Sequence, residues 1–362
     1  MSTGDAIPAQ AGIQRSAPPA GRGPGALDAR LRGHDGVPRL GFLGLGWIGQ
    51  HRMQALLAAQ ACEVAVVADP SPEVQARVRE IAPGAATVAT LDDLLRHELD
   101  GAVIATPSAL HAQQSLQLLE RGIAVFCQKP LARTAAETQA IIDAARRADR
   151  LLGCDLSYRH TEAMRRIRNC VVEGELGSVY AVDLVFHNAY GPDKPWFRDM
   201  ALAGGGCAID LGTHLVDLAL WVLGFPKVEL VTSRLYAQGR PLPSSPQEVE
   251  DYAVAQLELA GGTVVRLACS WNLSAGCDAV IEAHFHGSRG GAALRNRNGS
   301  FYDFVAERFE GTRRTTLAEP PDDWGGRAAV DWARRLGAGA RYESAIEPLV
   351  QVAAVLDAVY GR

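Results

Sequence analysis

The sequence predicts an α/β protein in two parts. An N-terminal Rossmann-type, doubly wound parallel sheet is followed by an α/β domain built on a large open, mostly antiparallel sheet. Three observations carry this expectation. Residues 41–49 read Gly-Phe-Leu-Gly-Leu-Gly-Trp-Ile-Gly, a G-x-G-x-x-G loop with an apolar run before it and a helical pattern after it. Residues 39–150 alternate short apolar runs with helical patterns, which means a parallel sheet covered on both faces. Beyond about residue 160 the runs lengthen and alternate apolar with polar side chains, which implies an antiparallel sheet with one face exposed or used for a partner.

In chain order, residues 1–37 come first. They are rich in Ala, Gly, Pro and Arg and lack a sustained apolar face, so a disordered or poorly packed extension is expected. The pieces 7–14 and 27–36 resemble peptides translated from palindromic repeats in bacterial genomes. The first domain is placed at 38–157, with strands over 39–43, 63–68, 101–105, 123–126 and 151–154. Helices are expected near 47–59, 71–81, 91–97, 108–121 and 134–149, the last opened by Thr134 and Glu137 in a capping-box spacing.

The second domain is placed at 158–343, with helices over 160–173 and 206–223. Its expected strands cover 179–188, 228–238, 251–259, 263–272 and 279–287, and Ala260-Gly261-Gly262 reads as a hairpin turn. A final helix in 344–362, apolar at Ile346, Leu349, Val350, Ala353, Leu356 and Val359, is expected to pack back toward the first domain.

Composition narrows the partners. The formal charge of −5, from 36 basic and 41 acidic residues, argues against a general nucleic-acid or anionic-membrane surface. No uninterrupted apolar segment reaches about 18 residues, so no membrane span is expected. The seven cysteines include no C-x-x-C pair and read as reduced thiols of a cytoplasmic protein.

The glycine loop has separable physical reasons. Gly44 permits the tight turn, Gly46 lets backbone approach a pyrophosphate, and Gly49 lets helix and strand pack closely. The helix N-terminus supplies free N–H groups and partial positive charge to phosphate. Asp69, at the end of the next strand, stands where a carboxylate grips the ribose diol of a dinucleotide and repels a 2′-phosphate. Pro70-Ser71-Pro72 follows it with no Arg or Lys, so NAD is favoured over NADP.

Two further clusters carry chemistry. Gln128-Lys129-Pro130 ends a strand of the parallel sheet, on the side where ligands bind, and Lys129-Pro130 is a candidate cis bond. Asp210 and His214 are four residues apart, on one face of a helix, so the carboxylate is placed to orient an imidazole that moves a hydroxyl proton. The pair is also compatible with two metal ligands, although no third stands nearby, and with a core histidine beside a solvated aspartate. No metal is expected.

Taken together, G-x-G-x-x-G, then Lys129-Pro130, then Gly204-Gly205-Gly206-x-x-x-Asp210-x-Gly212-x-His214-x-x-Asp217 resembles the glucose–fructose oxidoreductase / inositol dehydrogenase (Gfo/Idh/MocA) family. Ala105-Thr106-Pro107 with His111, Tyr158-Arg159-His160 and Gly191-Pro192-Asp193-Lys194-Pro195-Trp196-Phe197 are also family-like. The resemblance covers roughly 39–362. It implies hydride transfer between NAD(P) and a sugar, inositol or related hydroxyl, and a homodimer or homotetramer formed through the open sheet.

By this resemblance Lys129 polarises the reacting oxygen, His214 is the acid/base, and Asp210 binds substrate hydroxyls and orients His214. Cofactor contacts are expected from Gly44, Gly46, Trp47, Ile48, Gly49, Asp69, Thr106, Pro107, His111, Gln128 and Lys129. Gln128 departs from the family's usual Glu. Arg159, His187 and Trp196 are the candidate substrate contacts. Alternatives in the same family are a redox-neutral lyase, epimerase or glycosidase with tightly bound NAD, and a non-catalytic dinucleotide-binding regulator.

Overall fold

The computed structural model describes residues 36–362; the expectation for the N-terminal extension lies almost entirely outside them. Six parallel strands form the first sheet: β1 (Arg39–Leu43), β2 (Glu63–Ala68), β3 (Ala86–Val88), β4 (Gly101–Ile104), β5 (Ala124–Cys127) and β6 (Leu152–Cys154). Their spatial order is β3-β2-β1-β4-β5-β6. The order reverses between β1 and β4, which opens a crevice beyond their carboxyl ends. Helices α1 (Trp47–Ala58), α2 (Pro72–Ile81), α3 (Leu91–Leu94), α4 (Ser108–Glu120) and α5 (Ala135–Ala148) connect them.

The helix starts follow side-chain chemistry. Ser71 Oγ accepts from Val74 N at 3.3 Å, and Thr134 Oγ1 accepts from Glu137 N at 3.1 Å. The reciprocal half of the expected capping box is displaced by one residue: Glu137 accepts from Arg133 N, at 3.0 Å, and from the Arg133 guanidinium.

The second part begins with α6 (Glu162–Val172), β7 (Val179–Asn188), the short α7 (Met200–Ala203), and α8 (Thr213–Leu223), which is preceded by a widened helical turn at Ala208–Gly212. Then come β8 (Val228–Ala237), β9 (Arg240–Pro241), β10 (Tyr252–Leu259), β11 (Val264–Ser270), β12 (Ala279–Gly287), β13 (Gly291–Asn296), β14 (Phe304–Glu310) and β15 (Arg313–Ala318). The nine strands run in the order β15-β14-β13-β12-β7-β11-β10-β8-β9, antiparallel except for the β7–β11 pair. Alternation works as expected: Val182, Leu184 and Phe186 of β7 are buried, while Asp183 between them is half-buried on the other face. Gly261 and Gly262 turn the β10–β11 hairpin with φ of +92° and +84°.

The sequence reading misses β13–β15, whose short runs are broken by Gly, Arg and Asn. It also misses α9 (Arg327–Gly337). This helix leaves the second sheet and packs on the first beside α1, with Trp332 5.6 Å from Phe126. Gly101 and Gly153 make room for it, since a Cβ at either would lie 2.7 or 2.8 Å from the Trp332 ring. The last helix, α10 (Leu349–Val359), starts later than expected and packs on α5, α8 and β8. The stretch Met200–Leu223 is long and apolar enough to cross a bilayer by composition, but 83% of its most apolar window is buried against the protein itself.

Candidate active site

The crevice at the β1/β4 switch point continues into the second domain as one cleft of about 930 Å³. Its dinucleotide end is built from the glycine loop. Gly44 has φ +78°, and a Cβ there would lie 2.8 Å from Ala105 O. A Cβ on Gly49 would lie 2.4 Å from Gly44 O, so helix and loop touch through that glycine, and Gly49 itself stands behind the cleft wall. Gly46 differs: a Cβ there meets no protein atom within 4 Å. It faces the cleft at the start of α1, a helix with no side-chain cap and no acid in its first turn. Open space beside free N–H groups fits a pyrophosphate.

Trp47 and Ile48 line the same wall, Trp47 64% exposed and stacked on His51 at 5.5 Å. Asp69 is buried at the end of β2. One carboxylate oxygen accepts from Leu45 N at 2.8 Å and the other from Ser71 N at 2.9 Å. Asp69 therefore ties the glycine loop to the β2–α2 turn, and its remaining lone pairs are available to a ribose diol. Thr106 and Pro107 form the opposite lip, with Thr106 Oγ1 donating to Gln114 at 2.6 Å.

His111 is fully buried between two carbonyls. Its Nδ1 lies 2.8 Å from Pro130 O and its Nε2 2.8 Å from Thr106 O. Burial pushes its pKa down and the two carbonyls oppose that shift; a neutral ring donates to one carbonyl only, and packs the lip against the Lys129-Pro130 turn. The Lys129–Pro130 bond is cis.

The reacting end lies where the two domains meet. Lys129 Nζ donates to Asp210 Oδ1 at 2.6 Å and to Asp210 O at 2.8 Å. Trp271 Nε1 donates to Asp210 Oδ2 at 3.0 Å. The sequence reading had Asp210 orient His214; instead, both carboxylate oxygens are held by Lys129 and Trp271. The widened turn at Ala208–Gly212 changes the angular relation that a regular helix would give the pair.

His214 is held by rings, with Tyr158 edge-on at 4.8 Å and Phe186 at 6.4 Å. Among the described residues its nitrogens have no hydrogen-bond partner, and the ring lines the cleft. Burial, then Lys129 and Arg52, hold its pKa well below the usual histidine value, so the imidazole is neutral at pH 7 and is a proton acceptor.

The Gly204-Gly205-Gly206 run is explained by what lies beneath it. A Cβ on Gly205 would fall 2.1 Å from Tyr360 Oη, and one on Gly206 would fall 1.9 Å from Glu250 O. The fully buried Glu250 carboxylate accepts from Gly206 N at 3.0 Å, Ala208 N at 2.9 Å and Tyr360 Oη at 2.7 Å. It serves as a remote cap for the helical segment that carries Asp210 and His214. The end of α10 thereby anchors that segment.

Two of the expected substrate contacts are corrected. Arg159 does not line the cleft: its guanidinium pairs with buried Asp217, Nε–Oδ2 2.8 Å, and sits over the Trp221 and Phe225 rings. Burial of Asp217 demands that partner. His187 also lies outside the cleft, 2.7 Å from Ser270 Oγ and stacked on Tyr252. Trp196 does line the cleft, stacked on Phe197 at 3.8 Å.

Sequence reasoning missed Arg52, Asp155, Trp271, Tyr302 and Trp324, and marked Tyr158 as family-like without a role. Asp155 alone carried a usable signal, standing just past the end of a strand of the parallel sheet.

A glycine loop at a sheet switch point, a carboxylate at the end of β2 and a Lys–Asp pair beside a neutral histidine define a dinucleotide-dependent oxidoreductase. Residues 39–156 match the family profile described as oxidoreductase family, NAD-binding Rossmann fold, and residues 164–293 match the GFO/IDH/MocA C-terminal domain. The chain belongs to the Gfo/Idh/MocA oxidoreductase family. It is 29% identical to the D-glucoside 3-dehydrogenase of Escherichia coli K12 over 56% of this chain and 60% of that protein. It is 33% identical to the rhizopine catabolism protein MocA of Rhizobium meliloti over 51% of this chain and 57% of that one. The matched segments thus span less than two thirds of either relative. The fold is similar to that of a levoglucosan dehydrogenase solved with NADH and L-sorbose, with TM-score 0.76 and 21% identity over 89% of this chain and 95% of that chain.

Proposed function

We propose that this protein transfers hydride between NAD and a hydroxyl-bearing carbon of a sugar, inositol or sugar derivative, with NAD preferred over NADP. The observation that carries the reading is the Lys129–Asp210 pair at 2.6 Å with neutral His214 on the same cleft wall. When bound, the nicotinamide would supply the hydride acceptor or donor. Gly44, Gly46 and Asp69 would hold the dinucleotide, and Lys129 would steady the substrate oxygen as its charge changes. His214 would take the hydroxyl proton in oxidation and return it in reduction.

The substrate is proposed to be uncharged. Among the described residues lining the cleft, Arg52, Lys129 and Lys194 are each paired with a carboxylate: Asp155 at 2.5 Å, Asp210 at 2.6 Å and Asp193 at 3.1 Å. Trp196 and Tyr302 offer ring faces of the kind that pack on apolar sugar faces. The open face of the nine-stranded sheet would serve a homodimer or homotetramer. Seven unbridged thiols fit a reducing, cytoplasmic setting.

The test is absorbance at 340 nm with NAD or NADP and a panel of neutral sugars, inositols, sugar acids and sugar phosphates. NADH formation with neutral members is expected. Silence across the panel from protein that retains NAD through purification would replace this reading with redox-neutral sugar chemistry.

A further inference from the structure

Gln128 neighbours the reactive lysine, and a buried ionic cluster fixes its side chain. Asp155, 1% exposed just past β6, accepts from Gln128 Nε2 and from Arg52 Nε, at 2.5 Å, through Oδ2. Its other oxygen accepts from Ser157 Oγ at 2.6 Å. Arg52, 5% exposed on α1, also donates to Ser157 Oγ at 3.0 Å, and its third nitrogen lies 2.9 Å from His51 Nδ1. A carboxylate can only accept, so the amide of Gln128 must turn its NH₂ toward Asp155. Its carbonyl oxygen is then directed away from the cluster. Gln128 lines the cleft, and among the described residues that oxygen has no donor.

We infer that Asp155 and Arg52 are positioning residues: they lock the Gln128 carboxamide so that Oε1 presents a hydrogen-bond acceptor to a hydroxyl of the bound dinucleotide beside Lys129. The inference rests on the dinucleotide reading of the cleft. It explains why an amide stands here. A carboxylate at 128 would meet the Asp155 carboxylate with no donor between them, and the two like charges would repel. Arg52 is the matching charge paired with Asp155 in this buried cluster. An asparagine at 155 would keep its oxygen toward Arg52 Nε and Gln128, both donors, and turn its NH₂ to the Ser157 hydroxyl, which can accept. An alanine there removes the acceptor and frees the Gln128 amide to turn over and aim a donor at the cleft.

The test is read by NAD dissociation constant and by melting temperature without ligand, so turnover and substrate identity do not enter. Asp155→Ala and Gln128→Glu should each weaken NAD by about tenfold, the loss of roughly one hydrogen bond to the ligand. Asp155→Asn keeps an acceptor toward Arg52 and Gln128, and its NAD affinity should stay within about threefold of wild type, less than one ordinary hydrogen bond. Gln128→Met, which keeps the volume and removes the acceptor, should stay weak whatever stands at 155. Additive losses when Asp155→Ala is combined with Gln128→Met, or wild-type affinity in folded Asp155→Ala, would overturn the inference. If Asp155→Ala fails to fold, R52M/D155L, which leaves no buried charge unpaired, takes its place in both comparisons. Wild-type protein that binds no NAD would instead overturn the dinucleotide reading.

Discussion

Replacing Lys129 by Met tests the centre of the site. The substitution keeps an unbranched chain of similar volume, so packing around the Lys129-Pro130 turn survives. It removes the cation that bridges Asp210 Oδ1 and Asp210 O at 2.6 and 2.8 Å, and leaves the carboxylate with Trp271 as its remaining side-chain donor. Each lost charge-assisted bond contributes roughly 1.5–3 kcal/mol. The two side chains are 20% and 16% exposed, so water reaches Asp210 and recovers part of this. A net loss of about 2 kcal/mol follows, visible as a melting temperature lower by several degrees.

Turnover should suffer more. Loss of a preorganised donor at the reacting oxygen costs about 10²–10³-fold, near 3–4 kcal/mol of barrier. The glycine loop and Asp69 are untouched, so NAD affinity should change by less than about threefold, under 1 kcal/mol. The assay is initial-rate NADH production at 340 nm, with NAD titration by tryptophan fluorescence in parallel. A variant that turns over at the wild-type rate would remove Lys129 from the chemistry. A variant that loses turnover only because it no longer binds NAD would move Lys129 from substrate to cofactor.

The remaining predictions use the same assays. His214→Ala should lower kcat by about 10²–10⁴-fold. In the wild type the folded pKa of His214 lies well below 6.5, so the base form is already filled at neutral pH and the acid limb of the oxidation rate falls below the ordinary histidine range. By the same depression, stability from this group is present above about pH 6.5 and is lost as pH falls toward the folded pKa, a slope that His214→Ala should flatten. Gly46→Ala and Gly49→Ala should separate function from folding. Gly46 has φ −58° and an open Cβ direction, so its variant should melt like wild type but lose NAD by at least about tenfold; Gly49→Ala, 2.4 Å from Gly44 O, should lose about 1–3 kcal/mol of stability. Asp69→Ala should weaken NAD by about 10–100-fold and bring NADP closer to it, and unchanged selectivity would refute the ribose assignment.

Much of the site was legible because its residues occupy positions that the chain dictates locally. Gly44, Gly46, Asp69 and Lys129 all sit just after the carboxyl end of a parallel strand, with Gly49 in the first turn of the helix that follows, and strand ends can be read from apolar runs. Asp210 and His214 were legible as a pair, but not their relation, because a widened turn has no sequence mark. Arg159 and His187 show the opposite failure. Both are polar residues near the expected cleft, and both are satisfied by partners far along the chain: Asp217 is 58 residues from Arg159, and Ser270 is 83 from His187.

The parallel sheet, its glycine loop and the kinds of residue that line the cleft follow from local sequence, because period, turn chemistry and strand ends are local properties. Tertiary structure alone decided that Tyr360 and Glu250 brace the Gly204–Gly206 run, that Trp332 fills the space left by Gly101 and Gly153, and that Asp155 and Arg52 set the direction of Gln128. Each of these depends on groups distant along the chain meeting in a buried place, where an unpaired charge or a missing Cβ has a consequence that it lacks in the extended chain.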